Sequence, residues 1–304
     1  MPISTKAPFS SSDIQCLAAL ACEFLLAQGK SHLNGVIKTP VDGVRLFRDP
    51  TGCKKQPLLY QSGIIIMLKG SKRLYIDSRE IVYKKGDYLV LGVPLPAECA
   101  AFTDDDDCIL GLVVDVPPSL LVELTQLTPR EASSARPTFT VSQQSLDTTI
   151  ADATHRLLAA FTNKNKALAL GASYVREIIY HVLNGPAGYV LSGLTENGHY
   201  ARVAKALHII HEKYATSLNV EQIARDVNMS PSGFHRVFRE VVLDTPIQYI
   251  KKVRLAKARE RINGGERVSE AAEAVGYKSV SQFSREFKRY YQFTPLQDKS
   301  SEIA

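Results

Sequence analysis

Two stretches of the 304-residue chain, SGFHRVFRE at 232–240 and SQFSREFKR at 281–289, carry Phe-x-Arg-x-Phe in one register, 49 residues apart. An arginine on a rigid element presents a planar fork of donors that matches the edge of guanine or a phosphate oxygen pair. Phe234 and Phe238, like Phe283 and Phe287, are four residues apart. On a helix each pair therefore stacks on one face that is buried, while Arg236 and Arg285 point away from it. The spacing predicts two amphipathic helices that anchor themselves by aromatics and offer an arginine to a partner outside.

The surrounding residues repeat as well. Residues 220–246 and 268–295 align with one extra residue in the second copy. Nine positions are identical: Val220/Val268, Ala224/Ala272, Val227/Val275, Ser232/Ser281, Phe234/Phe283, Arg236/Arg285, Phe238/Phe287, Thr245/Thr294 and Pro246/Pro295. Each copy has the parts of a helix-turn-helix. Ala224 or Ala272 is small where a second helix must cross closely. Asn228 or Gly276 tolerates the left-handed turn, and Ser230 or Ser279 caps the second helix. The second helix of such a unit enters the DNA major groove.

Between the copies, residues 245–264 read as a helix that Pro246 starts and Gly264-Gly265 stops. About 18 residues span ~27 Å, so this helix can hold two recognition helices close to one ~34 Å turn of DNA apart. Lys251, Lys252, Arg254, Lys257, Arg259 and Arg261 run along it. Some of them, Lys251 and Lys252 in particular, are expected to reach phosphate, although a charge run on a helix is commonly a solvated face. Charge agrees with a polyanion partner. From His199 onward there are 18 Lys+Arg against 12 Asp+Glu, so the whole net charge of +6 lies in the last third; the rest is balanced.

This tandem motif, with its connecting helix and repeated Thr-Pro ending, resembles the DNA-binding domain of AraC-type transcription factors over about 200–297. Residues 58–100 and 176–191 are similar to the N-terminal effector-binding and dimerisation half of one AraC-type subfamily. The resemblance implies an α+β chain: a cupin-like β-barrel with flanking helices, followed by an all-α tandem helix-turn-helix domain. By position it assigns base-facing roles to Ser232, Gly233, His235 and Arg236 in the first unit, and to Val280, Ser281, Ser284 and Arg285 in the second. Double-stranded DNA, a small-molecule effector, a second copy of the chain in a homodimer and RNA polymerase are the implied partners. The chain departs from the family at Leu243 and Gln292, where glycine usually follows each recognition helix. A left-handed cap there costs about 1 kcal/mol, so altered helix ends are expected. The tail at 296–304 lacks the usual aromatic and basic residues, which implies a short last helix.

The positioning elements upstream follow from pattern. Residues 12–29 read as a helix with Ser12 or Asp13 as N-cap and Gly29 as stop. From about 33 to 116 short β-rich runs alternate with turns at Gly70-Ser71, Asp77-Ser78 and Gly86-Asp87, as in a small barrel or jelly roll. A short helix from Pro118, a polar stretch at 128–142 and two amphipathic runs at 146–161 and 167–185 follow; the two runs make a helical hairpin. The expected division is an effector-binding domain at 1–142, a dimerisation hairpin at 143–192 with Ile178 and Ile179 on its contact surface, a linker at 193–201, and the DNA-binding domain at 202–304.

Other chemistries find little support. The β-rich region 58–116 contains no histidine, so the metal-binding set of catalytic cupins is missing. The carboxylates of Asp104–Asp107 are read as solvated, and no phosphate loop, nucleophile elbow or dinucleotide fingerprint occurs. Neither catalysis, a metal nor a cofactor is expected. Tyr60, Tyr75, Tyr83 and Tyr88 could give a pocket polar tips, yet tyrosines of a β-rich domain are commonly packed with satisfied hydroxyls. Any effector is expected to be a small, mainly uncharged organic molecule; the alternative is a barrel that serves assembly and binds none. Five cysteines without Cys-x-x-Cys spacing fit neither a disulfide framework nor a zinc site; reduced buried thiols are the ordinary reading and a redox-sensing thiol the sharper one. The first residues lack a signal pattern and no apolar run reaches membrane-spanning length, which predicts a cytoplasmic chain without membrane contact.

Overall fold

The computed structural model describes residues 10–76, 79–104, 107–127, 140–195 and 198–297. The Asp77-Ser78 turn, Asp105 and Asp106, most of the polar stretch 128–142 and the tail beyond Gln297 lie outside these residues. The N-terminal part runs α1 (Ser11–Ala27), β1 (Gly35–Lys38), β2 (Val44–Asp49), β3 (Cys53–Tyr60), β4 (Gly63–Lys69), β5 (Ser71–Ile76), β6 (Arg79–Lys84), β7 (Asp87–Leu91), β8 (Leu95–Phe102), β9 (Ile109–Val114), α2 (Pro118–Leu127), β10 (Val141–Ser145), α3 (Thr148–Ala160), α4 (Lys164–Asn184) and α5 (Gly188–Ser192). Helix α1 starts one turn-setting residue earlier than its pattern suggests. Ser10, not Ser12 or Asp13, is the N-cap, and the Asp13 carboxylate returns to the Ser10 amide at 2.8 Å in a capping box. Gly29, at φ 64°, follows the helix end as expected.

The strands do not close into a barrel. They form two sheets, a six-stranded one in the order β1-β2-β9-β4-β7-β10 and a four-stranded one in the order β3-β8-β5-β6. Strand β4 shows why its apolar residues are continuous. Ile64, Ile66 and Leu68 pack with α1, α3 and α4, whereas Ile65 and Met67 face the other sheet. The result is three layers: helices, the large sheet and the small sheet. Side chains such as Leu74, Tyr60 and Tyr83 pack between the sheets, and the two tyrosine hydroxyls meet at 3.0 Å. Tyr60 and Tyr83 are packed with satisfied hydroxyls.

Helices α3 and α4 form the expected hairpin, capped by Asp147 and Asn163. Their apolar face turns inward. Ile178 and Ile179, taken from sequence as contact surface, are fully buried against the chain's own core. Amphipathic periodicity shows that a face is covered, not what covers it. The hairpin's large exposed apolar residues are Leu168, Leu170 and Tyr180.

The C-terminal part comprises α6 (His199–Lys213), α7 (Val220–Asp226), α8 (Pro231–Val242), α9 (Pro246–Asn263), α10 (Val268–Ala274) and α11 (Val280–Tyr291). Helix α6 begins inside the stretch 193–201 read as linker. Its domain packs on the small sheet and on the segment between β7 and β8. One apolar cluster runs from Leu91 and Val93 to Val203, Phe238 and Tyr249. Tyr249 donates its hydroxyl hydrogen bond to the Pro94 carbonyl at 3.2 Å and meets Nε2 of His211 at 2.7 Å.

Burial, with the nearby charges of Lys257 and His208, pushes His211 down to about 4. The folded chain therefore keeps this imidazole neutral in a range where an unfolded histidine, with pKa about 6.5, takes up a proton. Stability should fall as pH drops from about 6.5 towards 4, by on the order of 2–3 kcal/mol at the low end. Urea unfolding of the full chain across this range checks it, and His211→Gln should remove most of the slope.

Candidate nucleic-acid interface

Both repeats fold as the spacing predicts, because each part of the pattern is local. In the first motif α7 leads through Asn228, at φ 55°, into α8; in the second α10 leads through Gly276, at φ 88°, into α11. A Cβ at Gly276 would collide with the Ala215 carbonyl, so glycine is required there for space as well as for φ. Ser230 Oγ accepts from the Gly233 amide at 3.2 Å and Ser279 Oγ from the Gln282 amide at 3.3 Å. Ala224 and Ala272 are fully buried at the crossings.

Phe234, Phe238, Phe283 and Phe287 are each without solvent exposure. The first pair stacks at 5.4 Å between ring centroids and continues to Tyr249; the second stacks at 5.5 Å and continues to Tyr291. With the aromatics inward, the opposite faces are open. Ser232, His235 and Arg236 on α8, and Val280, Ser281 and Arg285 on α11, are exposed, and Gly233 and Ser284 are half-buried beside them. Arg236 reaches Glu240 at 3.3 Å across one helical turn, an exposed pair. Arg285 makes no ion pair among the described residues.

The helix ends are ordinary despite their unusual residues. Leu243 and Gln292 adopt the left-handed conformation at φ 59° and 69°, and their amides bond the Arg239 and Lys288 carbonyls. The expected alteration does not occur: the strain of about 1 kcal/mol is borne by an otherwise intact cap.

Helix α9 joins the motifs from Thr245, its N-cap, to Gly264, as predicted. Its basic run is largely engaged within the chain. Lys251 lies 3.6 Å from Glu286 and Lys252 2.8 Å from Asp244. Lys257 and Arg261 pair with Glu260 and Glu266. Arg254 donates to the carbonyls of Tyr214 and Thr216, closing the end of α6. Arg259 lies over the rings of Tyr291 and Phe293. Burial raises the Glu286 carboxyl, but hydrogen bonds from Gln282 and Tyr277 and the charges of Lys251 and Arg289 outweigh it and hold the group low. Sequence reasoning passed over Lys278, just before the cap of α11, and Arg239 on α8; both are exposed and in no ion pair among the described residues. Their signal was their place beside a recognition helix rather than in a charge run.

In the N-terminal part, Asp104 and Asp107 pair with Lys85 and Lys69, and no group of three metal-ligating side chains gathers among the described residues. A cleft of about 700 Å³ opens where β6 and β10 meet the end of α8. Ile81, Val141, Val241 and Leu243 form its apolar wall, with Arg79 and Glu240 at its polar side. No described helix is long and apolar enough to cross a membrane.

Known proteins share this arrangement. The family model of the AraC-type transcriptional regulator N-terminus matches residues 40–190, and a helix-turn-helix domain model matches residues 223–300. The Msm operon regulatory protein of Streptococcus mutans is 30% identical over 96 residues, 31% of this chain and 34% of that protein. The transcriptional activator RhaS of Citrobacter koseri is 25% identical over 197 residues, 63% of this chain and 68% of its own length. Several curated relatives, the Msm regulator among them, are matched over only about a third of their length. The crystal structure of wild-type ToxT from Vibrio cholerae with a bound unsaturated fatty acid has the same fold, with a TM-score of 0.57 at 11% identity over 84% of this chain and 93% of that one. The Msm protein is an operon regulator and RhaS a transcriptional activator. The chain belongs to the AraC-type transcriptional regulators.

Proposed function

We propose that the chain is a sequence-specific regulator that binds duplex DNA through α8 and α11 and is tuned by a small molecule held by its N-terminal part. The observation that carries the first half is the pair of outer faces: the same register presents Arg236 and Arg285 opposite fully buried phenylalanines, with the base-facing positions open. For Lys251 and Lys252 to contact phosphate, each exchanges a carboxylate partner for a phosphate oxygen. Lys278 and Arg239 reach phosphate with no such exchange.

The cleft beside α8 supports this reading as a place for an effector. Its wall is mainly apolar, which suits an uncharged organic molecule or the chain of an amphipathic one. ToxT, of the same fold, binds a fatty acid. The side chains packed between the sheets equally support the alternative in which the N-terminal part serves assembly alone. The family resemblance supports homodimerisation and an encounter with RNA polymerase, and the exposed outer face of α3–α4 is the surface offered for the dimer.

Selection of duplexes from a random pool by the full chain tests the reading. Enriched sites should contain two half-sites about one helical turn apart. Recovery without sequence preference would overturn it. Thermal-shift screening of metabolites on the same protein separates the two roles of the N-terminal part, because a binder raises apparent stability by mass action.

A further inference from the structure

One row across the small sheet reads Cys53, Ala101, Lys72, Tyr83. Cys53 pairs with Ala101 on β8, Ala101 with Lys72 on β5, and Lys72 with Tyr83 on β6. Paired residues share a face, so Cys53 and Lys72 both lie on the inner face with only the methyl of Ala101 between them. Cys99, two residues before Ala101, points the same way and is buried. Between Cys53 and Gln56 the register slips, three steps on β3 opposing two on β8. This bulge offsets β3 against β8 so that Cys53 and Cys99 lie diagonally on one face of neighbouring strands.

The groups around them favour charge on one sulfur. Hydrogen bonding with Cys99 lowers Cys53 to about 6; burial and Asp49 oppose this, while Gln56 and Lys72 support it. Lys72 makes no ion pair among the described residues, and its ammonium lies over the Phe47 ring at 4.0 Å. That ring fits because Gly111 beneath it has no Cβ. Cys99 keeps its proton, being pushed up by the same hydrogen bond and by burial, and it accepts from the Tyr60 hydroxyl at 3.1 Å. Cys53 is half-exposed and Cys99 is not. An accessible thiolate backed by a protonated thiol is the arrangement of an attacking and a resolving cysteine.

We propose that Cys53 and Cys99 form a dithiol site that hydroperoxides oxidise to an intrachain disulfide. The Cys53 thiolate attacks the terminal oxygen of ROOH. The S–O bond forms as the O–O bond breaks, and the departing alkoxide takes a proton to become ROH. The sulfur of Cys99 then attacks the Cys53 sulfenic acid; the S–S bond forms, the S–O bond breaks, and the leaving hydroxide takes the Cys99 proton as water. Two thiols lose two electrons and two protons, and one hydroperoxide is reduced to an alcohol and water. The strand concerned is the one that contacts α9 and α11, and Gln56, at the other end of the bulge, accepts from Arg259 at 3.4 Å. Closing the disulfide therefore fixes the bulge against the second helix-turn-helix motif.

The test treats the full chain with less than one equivalent of hydrogen peroxide and maps its peptides without reduction. The Cys53 and Cys99 peptides should be joined, while exposed Cys16 remains a thiol. In Cys99→Ser, dimedone should label Cys53 as a trapped sulfenic acid. Alkylation of Cys53 by iodoacetamide should reach half its maximal rate near pH 6, and Lys72→Met should move that midpoint upward and slow peroxide oxidation several-fold at pH 7. Oxidation of Cys16 with Cys53 still reduced, a Cys53 link to any cysteine other than Cys99, or a Lys72→Met profile identical to that of the parent would each overturn the proposal.

Discussion

Phe283→Ala should cost about 3–5 kcal/mol and disable the second motif, the largest loss expected from a single truncation in the DNA-binding domain. The ring is fully buried and touches Tyr277 at 5.3 Å and Phe287 at 5.5 Å between centroids. Its cluster is small, built from α9, α10, the turn between α10 and α11, and α11, with Tyr214 at the end of α6 against it. Phe234 instead sits in a cluster continuous with the small sheet, so its motif keeps neighbours when one ring is removed. Truncation at Phe283 leaves a cavity that this small cluster must close, and α11 carries the arginine on its other face. Hydrogen exchange of the full chain should show protection disappearing across α10 and α11 first. Phe283→Leu should retain most of it, because the site is filled by shape rather than by ring chemistry. A destabilisation under about 1 kcal/mol for the alanine variant would mean that the cluster collapses freely around the gap.

Arg236→Ala and Arg285→Ala should each relax base preference at one or two positions of the selected site, by roughly 1–3 kcal/mol for each bidentate arginine–guanine pairing removed. Affinity for scrambled DNA should change little more than one charge requires. The Arg236–Glu240 pair does not hold the arginine back: it is exposed, and such pairs contribute about 0–1 kcal/mol. Lys251→Ala and Lys252→Ala should act differently, weakening all sequences alike and flattening the salt dependence by about one unit for each phosphate no longer neutralised. Asp244 would then lose its lysine and Glu286 would keep only the nearby charge of Arg289, so stability falls as well. Binding to selected and scrambled duplexes at several salt concentrations separates the classes. Equal weakening on both DNAs for the arginine variants would move base readout to other residues of α8 and α11.

The DNA-binding half was legible in the sequence almost to the residue, because its determinants act within one or two helical turns. Phe pairs four apart, serine caps, a proline start and the left-handed positions Asn228 and Gly276 each state a local geometry, and a repeat states it twice. Even there, sequence could not tell which cations of α9 were free. Arg254 directs its donors to carbonyls some 40 residues away in the chain, and no pattern within α9 encodes that. The N-terminal half was legible as strands and helices, but not as an arrangement. Strand β10, VSQQS, has too little apolar signal to stand out, and it becomes a strand by pairing with β7. Two sheets rather than one barrel, and the inward turn of Ile178 and Ile179, depend on which faces meet, a choice that periodicity leaves open. The thiol pair is of the same kind: Cys53 and Cys99 are separated by 46 residues, and only the antiparallel register of β3 and β8, with its slip at Gln56, puts the two on one face of neighbouring strands. Sequence by itself determined each helix-turn-helix and its outward arginine, since neighbouring residues carry the whole instruction. Tertiary structure alone decided the sheet order, the buried hairpin face and the meeting of the two cysteines, because those energies arise between segments that become neighbours only when the chain has folded.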